Sequence, residues 1–178
     1  MKIITISGHA GSGKDTAANQ MKSAMESEGK KVLIAHYADL LKYICKMFLG
    51  WDGNKDEAGR NMLQRIGTDI IRNKNPNYWV DFVEFVIESL YEYGKWDYVI
   101  IPDARFPNEI SRLTEDGFSV THVRIVRDKD TGILNKAQKN HASETSLNEV
   151  IPDFILKNYG TKEDFEKKII KWTKEFIV

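Results

Sequence analysis

The 178-residue sequence predicts an α/β fold, a parallel sheet with helices on both faces. Three observations carry this. Short β-rich runs alternate with helical stretches along the chain. The run WDYVII at 96–101 is apolar enough to be buried on both faces, as strands of parallel sheets are. The first run ends in glycines that open a helix, the strand–loop–helix order of a phosphate site.

The elements follow in order. Lys2 to Ser7 is a strand, and Lys14 to Ser27 a helix stopped near Gly29, which suits a C-terminal cap. Val32 to His36 is the second strand. Ala38 to Leu49 is a helix, with Leu40, Leu41, Ile44, Met47 and Phe48 at helical spacing. Trp51 to Gly59 is polar and glycine-containing, hence a loop. Asn61 to Asn73 and Tyr78 to Tyr93 are helices separated by Asn75-Pro76-Asn77, where Pro76 suits a helix start. The strand Trp96 to Ile101 leads to a helix from Pro107 to Asp116, ended by Gly117. Val120 to Val126 is the fourth strand. Arg127 to Asn140 is charged and irregular, and His141 to Val150 is helical. Phe154 to Leu156 is a short last strand, and Lys162 to Phe176 a C-terminal helix. There is no repeat and no low-complexity linker.

Length and composition agree with a single domain over residues 1–178. Hydrophobic residues make up 42% and charged residues 29%, which excludes wholesale disorder. Lys and Arg number 26 against 26 Asp and Glu, so no generally basic coat for a nucleic-acid polymer is expected. The lone Cys45 excludes an internal disulfide and a cysteine-based zinc cluster. No apolar run approaches the ~20 residues of a membrane span. The opening MKIITISGHAG is interrupted too early for a signal peptide. A soluble, cytoplasmic protein with no membrane partner is the expectation.

Gly8-His9-Ala10-Gly11-Ser12-Gly13-Lys14 fits G-x-x-x-x-G-K. Its glycines let successive N–H groups turn toward phosphate oxygens, the helix start adds positive potential, and Lys14 brings a mobile cation. After the lysine stands Asp15, where Ser or Thr normally holds Mg²⁺, and then Thr16. Asp15 suits a hard cation directly or through water, or serves simply as a helix-start carboxylate. Thr16 suits the α-phosphate.

Ligands of open α/β sheets bind beyond the carboxyl ends of the strands. Asp103 and Arg105 fall there, after WDYVII. Asp103 is placed to orient metal-bound water or an attacking phosphate, and Arg105 to meet a phosphate. The alternative is that Asp103 caps a turn while Arg105 pairs with Glu109. A kinase needs a second anion site. Lys42, Arg65 and Arg72 are the candidates, and Arg65 and Arg72 share a face if they lie on one α-helix; solvated surface cations are the alternative. Asp39 suits a substrate-orienting or capping role, and Gln64 the reading of a base edge. Tyr78 and Trp79 suit base stacking, although for Trp79 a core role is favoured. Arg124 and Arg127 flank the end of the fourth strand. The polar segment beyond, with Lys129, Lys136, Lys139, His141, Ser143 and Glu144, suits a lid, or an ordinary surface loop. No Gly-x-Ser-x-Gly elbow supports a hydrolase. His9, His36 and His122 are too scattered for a metal site, and Asn54-Lys55-Asp56-Glu57 misplaces the aspartate of a guanine-reading motif.

Taken together, GKDT in the loop, YADLLK (37–42), LQRIGTDIIR (63–72) with NPNYWV behind it, PDARFPNE (102–109) and HASE (141–144) resemble the bacteriophage-type deoxynucleoside monophosphate kinases, in the family's order. The resemblance implies a P-loop kinase fold: a five-stranded parallel core, a helical acceptor-binding insertion over about 38–95 and a lid over about 127–145. It implies transfer from ATP to a deoxynucleoside monophosphate with Mg²⁺. By that similarity Gly8, Ala10, Gly11, Ser12, Gly13, Lys14, Asp15 and Thr16 bind ATP. Asp39, Lys42, Arg65, Arg72 and Arg105 serve the acceptor, joined by the residue-level candidates Gln64 and Trp79. Asp103 helps to organise magnesium and the acceptor phosphate, with Asp15 as the residue-level metal candidate, and Arg127 falls where lid arginines contact the transferring phosphate. Leu40 replaces the family's usual proline. Two other readings stand beside this one: a kinase of another small phosphate ester, phosphomevalonate-like, and a nucleotide-binding switch with no acceptor. Nucleotides are the expected partners, and a homodimer is compatible with the sequence.

Overall fold

The computed structural model describes residues 1–94, 96–128 and 132–178. Five strands, β1 (Lys2–Ser7), β2 (Val32–Ile34), β3 (Tyr98–Ile101), β4 (Ser119–Val126) and β5 (Phe154–Lys157), form one parallel sheet in the order β2-β3-β1-β4-β5. In register, Thr5 pairs with Ile101 and Ser7 with Arg124, so β1 lies in the middle of the sheet. Alternation along each strand feeds two cores. Ile4, Ile6 and Ile100 face α1 (Lys14–Ser27) and α8 (Lys162–Phe176), meeting Met21, Phe165 and Ile169. Ile3, Val99 and Ile101 face the other way, onto Val80, Val83 and Ile87 of α4 (Tyr78–Gly94) and Leu113 of α5 (Asn108–Glu115). All of Tyr98 to Ile101 is buried, as expected for a strand covered on both faces.

The insertion has its own small core. Leu41 and Cys45 of α2 (Ala38–Phe48) pack with Trp51 and Trp79. The expected loop before Asn61 is instead partly helical. Asp56 caps α3 (Glu57–Gln64), accepting from the Gly59 amide at 2.8 Å, so the helix starts earlier than its apolar pattern shows. From Arg65 to Arg72 the chain continues as a π-helix. The Trp79 indole, from outside this stretch, donates to the Gly67 carbonyl at 2.9 Å where the winding has changed. Three further boundaries move. β2 stops at Ile34, because the Tyr37 and Ala38 amides turn to Asp103. β3 begins at Tyr98. Of the expected helix 141–150 one turn forms, α7 (Ala142–Thr145), capped by His141; another single turn, α6 (Lys136–Lys139), capped by Asn135, stands in the stretch expected to be irregular.

Beneath the sheet edge, His122 is 3% exposed, with Nε2 2.8 Å from the Ser7 hydroxyl. Burial, reinforced by Arg124 and opposed by Asp153, lowers its pKa to about 4. The imidazole is thus neutral in the folded protein, while an unfolded histidine titrates near pH ~6.5. The penalty is absent above about pH 6.5, grows as pH falls and is complete near about pH 4, reaching roughly 3 kcal/mol. Urea unfolding of His122→Gln at about pH 7 and about pH 4 is expected to show a smaller loss on acidification than the unmodified protein. An identical loss would remove His122 from the acid response.

Candidate functional site

The loop between β1 and α1 is shaped by glycines that no side chain can replace. Gly8 and Gly13 have φ of +143° and +102°. A Cβ on Gly8 would run into the Ile125 carbonyl, and one on Gly13 would lie 2.6 Å from the Asn158 amide nitrogen. That nitrogen donates to the Ser12 carbonyl at 2.7 Å and fixes the loop from outside. Inside, the Lys14 ammonium donates to the carbonyls of Gly8 at 2.7 Å and His9 at 3.0 Å, so the loop arches over it. Burial, then the charge of Arg105, lowers Lys14 to about 8; Glu144, Asp15 and Asp103 oppose the shift. The Ser12 hydroxyl is buried without a hydrogen-bond partner among the described residues.

Next along the sheet edge, Asp103 leaves β3 and accepts from the Tyr37 and Ala38 amides, each at 3.0 Å. It therefore holds the two amides that open α2 while keeping lone pairs toward the cleft; the alternative of a turn cap with Arg105 paired to Glu109 does not hold as a whole, since the Arg105 side chain goes to Glu144. Asp15 is four-fifths exposed at the mouth, 3.9 Å from His36 Nε2. Among the described residues no three carboxylate, imidazole or thiol groups cluster as a self-sufficient metal site. Mg²⁺ does not need one, since it commonly takes one or two carboxylates and completes its shell with water and phosphate. Asp15 and Asp103 fit that donor set.

The far wall is built by the insertion. Arg72, buried in the π-helix, pairs with Glu109 and donates to Pro76 O at 2.9 Å and Asn108 Oδ1 at 3.1 Å. Its guanidinium lies 3.8 Å over the Phe106 ring. Glu109 also accepts from the Arg105 amide at 2.6 Å and the Phe106 amide at 3.1 Å. Burial pushes this carboxyl up to about 7 against the pull of Arg72 and both amides. Trp79 is buried, edge-on to Tyr78 at 4.9 Å, with one side on the cleft. Lys42 also faces the cleft, held 2.9 Å from Asp39, which stands outside the wall.

A strap closes the other side. Gln138 donates to Asn61 Oδ1 at 2.8 Å, His141 Nε2 lies 3.2 Å from Asp69, and Gln64 reaches the Gln138 carbonyl at 3.5 Å. Arg127 donates to the Gly11 carbonyl at 3.1 Å. Lys129, expected in the lid, lies outside the described residues.

Two adjoining cavities result. The larger, about 550 Å³, brings together Ala10, Gly11, Lys14, Asp15, Lys42, Gln64, Arg72, Trp79, Asp103 and Arg105. The smaller, about 450 Å³, is walled by Gly8, Ala10, Ser12, Arg105, Arg124 and Arg127. Arg105 belongs to both. Gly13 shapes the loop from below, and Thr16 sits in the first turn of α1, outside both walls. Arg65 is exposed and outside both walls; a shared face with Arg72 holds for an α-helix, and the π-helical winding abolishes it. Sequence reasoning missed Tyr37, Phe106 and the arrangement of Glu109. The signal was in PDARFPNE, where Glu109 follows the turn at first-helix-turn distance, yet the side chain of Arg105 turns to Glu144 instead.

Residues 23–169 match the family model described as deoxynucleotide monophosphate kinase, a stretch that begins after the phosphate loop. The deoxynucleotide monophosphate kinase of Enterobacteria phage T4 is 31% identical over 112 residues, 62% of this chain and 43% of that protein. The match thus spans less than half the length of that relative. The fold resembles a sugar kinase from Janibacter sp. HTCC2649 (TM-score 0.58, 12% identity, 98% of this chain and 95% of that one). It also resembles the dephospho-CoA kinase of Campylobacter jejuni (TM-score 0.51, 16% identity, 98% and 96% covered). With the strand order, these likenesses make this a P-loop kinase fold.

The depressed pKa of Lys14 sets a pH dependence. Its ammonium form dominates below about pH 8 and is lost above it. Calorimetric affinity for inorganic tripolyphosphate is expected to be level at neutral pH and to fall as pH rises through about 8. Lys14→Met is expected to lose most of the affinity and the pH step. A step that survives the substitution would assign it to another group.

Proposed function

The chain belongs to the deoxynucleotide monophosphate kinase family, and we propose that it transfers the γ-phosphoryl group of ATP to a deoxynucleoside monophosphate. One observation carries the reading above all: the phosphate loop with Lys14 and the Arg72–Phe106–Trp79 wall open onto one cavity, with Arg105 between them. A nucleotide switch has no need of that second wall. The lid over the acceptor helices, at about 127–145, belongs to the same proposal, as does the assignment of about 38–95 to the acceptor.

In this reading the loop amides and Lys14 hold the donor's phosphates. The acceptor's phosphate lies toward Arg72 and Arg105, its base between Trp79 and Gln64. An oxygen of the acceptor phosphate forms the new bond to the γ-phosphorus as the bond to the β-bridging oxygen breaks, and ADP leaves with that electron pair. The acceptor is largely a dianion near pH ~7, because its second pKa is about 6, so no strong base is required. Catalysis is then alignment and neutralisation of developing charge by groups already in place. Asp15 and Asp103 would hold Mg²⁺, whose contribution when bound is charge neutralisation on the phosphates.

The test is ADP formation with each deoxynucleoside and ribonucleoside monophosphate in turn. Turnover that depends on at least one monophosphate is expected, and acceptor-independent hydrolysis or none would favour the switch. Arg72→Lys keeps a cation opposite Glu109 but loses the planar fork. It is expected to raise the acceptor KM roughly tenfold, the scale of one hydrogen bond to a charged group, and the ATP KM much less. An equal rise in both would take Arg72 out of the acceptor wall.

A further inference from the structure

The strap delivers a carboxylate into the phosphate loop. Glu144 lies on α7, and its side chain is only 4% exposed although the helix is on the surface. One oxygen accepts from the Ala10 amide at 3.2 Å. The other accepts from Arg105 Nη1, which also donates to the Ser143 carbonyl at 2.8 Å. Of the charges that favour the Lys14 ammonium, that of Glu144 is the strongest. A backbone amide, a guanidinium and an ammonium are the donors that a phosphate oxygen requires in such a loop. In this loop a side-chain anion takes the first two, and its charge acts on the third.

We propose that Glu144 is an internal anion that occupies the donor-phosphate position of the loop and is displaced by the polyphosphate of an incoming nucleotide, which frees Arg105. The inference rests on the reading of the loop as the donor site and adds a step to it. Because Glu144 is rooted in the strap, its departure shifts α7. The strap contacts to Asn61 and Asp69 in turn carry donor occupancy to the acceptor helices. Arg105, about a third exposed, exchanges one anion for another, and solvent lowers the cost of the exchange. Binding is weakened by the fraction of molecules with the latch closed, so removing the latch tightens it.

The experiment is calorimetric titration of tripolyphosphate and of a non-hydrolysable ATP analogue into the protein and into Glu144→Gln and Glu144→Asp, the latter too short to reach Ala10. Both variants are expected to bind both ligands about tenfold more tightly, the scale of one hydrogen bond to a charged group. A purely structural glutamate would give weaker binding when removed. Unchanged or weaker binding in the variants, with the unmodified protein binding normally, overturns the latch alone. Failure of the unmodified protein to bind either ligand overturns the donor-site reading and the latch with it. Should the variants not fold, hydrogen exchange on the unmodified protein decides. The Glu144 amide, bonded to His141 O at 2.8 Å, and the Ser146 amide, bonded to Ala142 O at 3.0 Å, should exchange faster once tripolyphosphate is added. Unaltered or slower exchange contradicts displacement.

Discussion

The parallel pairing of β1 with β3 is the constraint on which the rest depends. Thr5 lies opposite Ile101, so the chain leaves both strands at the same edge and at nearly the same height. The phosphate loop and the Asp103–Phe106 turn therefore emerge side by side. Neither has to be steered there by long side chains. The register is held by apolar side chains on both faces, and each strand residue from Tyr98 to Ile101 is buried. A slip by one residue would exchange the two cores and separate the loops. The position of the chemistry is thus a consequence of hydrophobic burial several residues away.

A second constraint is electrostatic. The cleft is rich in cations, as the proposed phosphate binding requires, and buried cations are costly when alone. Here each of three is answered by a carboxylate: Arg72 by Glu109, Arg105 by Glu144, Lys42 by Asp39. The pairs differ in depth. Arg72 and Glu109 are both buried and joined to backbone groups on either side, so that pair ties the π-helix to the β3–α5 turn. Lys42 and Asp39 are more exposed and contribute little to stability. Arg105 stands between these cases, at the junction of the two cavities, about a third exposed with a partner that is buried.

Much of this was legible in the residues. The sheet could be read from WDYVII and the alternation of strands with helices, because burial leaves a direct trace in sequence. The loop could be read from Gly8, Gly13 and Lys14, since only glycine tolerates those backbone angles and contacts. Short capped turns were harder. α6 and α7 form through one side-chain cap each, and no periodicity can develop over four residues. The π-helix carries a contact from Trp79 to Gly67 across twelve positions, a tertiary contact without a local signature. For the same reason Arg65 and Arg72 part company, one at the surface and one in the wall. Partner choice among charged groups was the least legible. PDARFPNE places Arg105 and Glu109 close in sequence, yet their side chains pair with Glu144 and Arg72, which come from distant elements.

The central claim is that donor and acceptor phosphates meet across one cleft. The most direct measurement is the affinity for a bisubstrate analogue, adenosine joined to a deoxynucleoside through a chain of phosphates, compared with ATP and with the monophosphate alone. If the two cradles face one another, the linked molecule binds orders of magnitude more tightly than either half, because its second half binds at high effective concentration. An affinity no better than that of ATP would mean that the acceptor wall does not receive a nucleotide held in line with the loop, and the account would be wrong at its base.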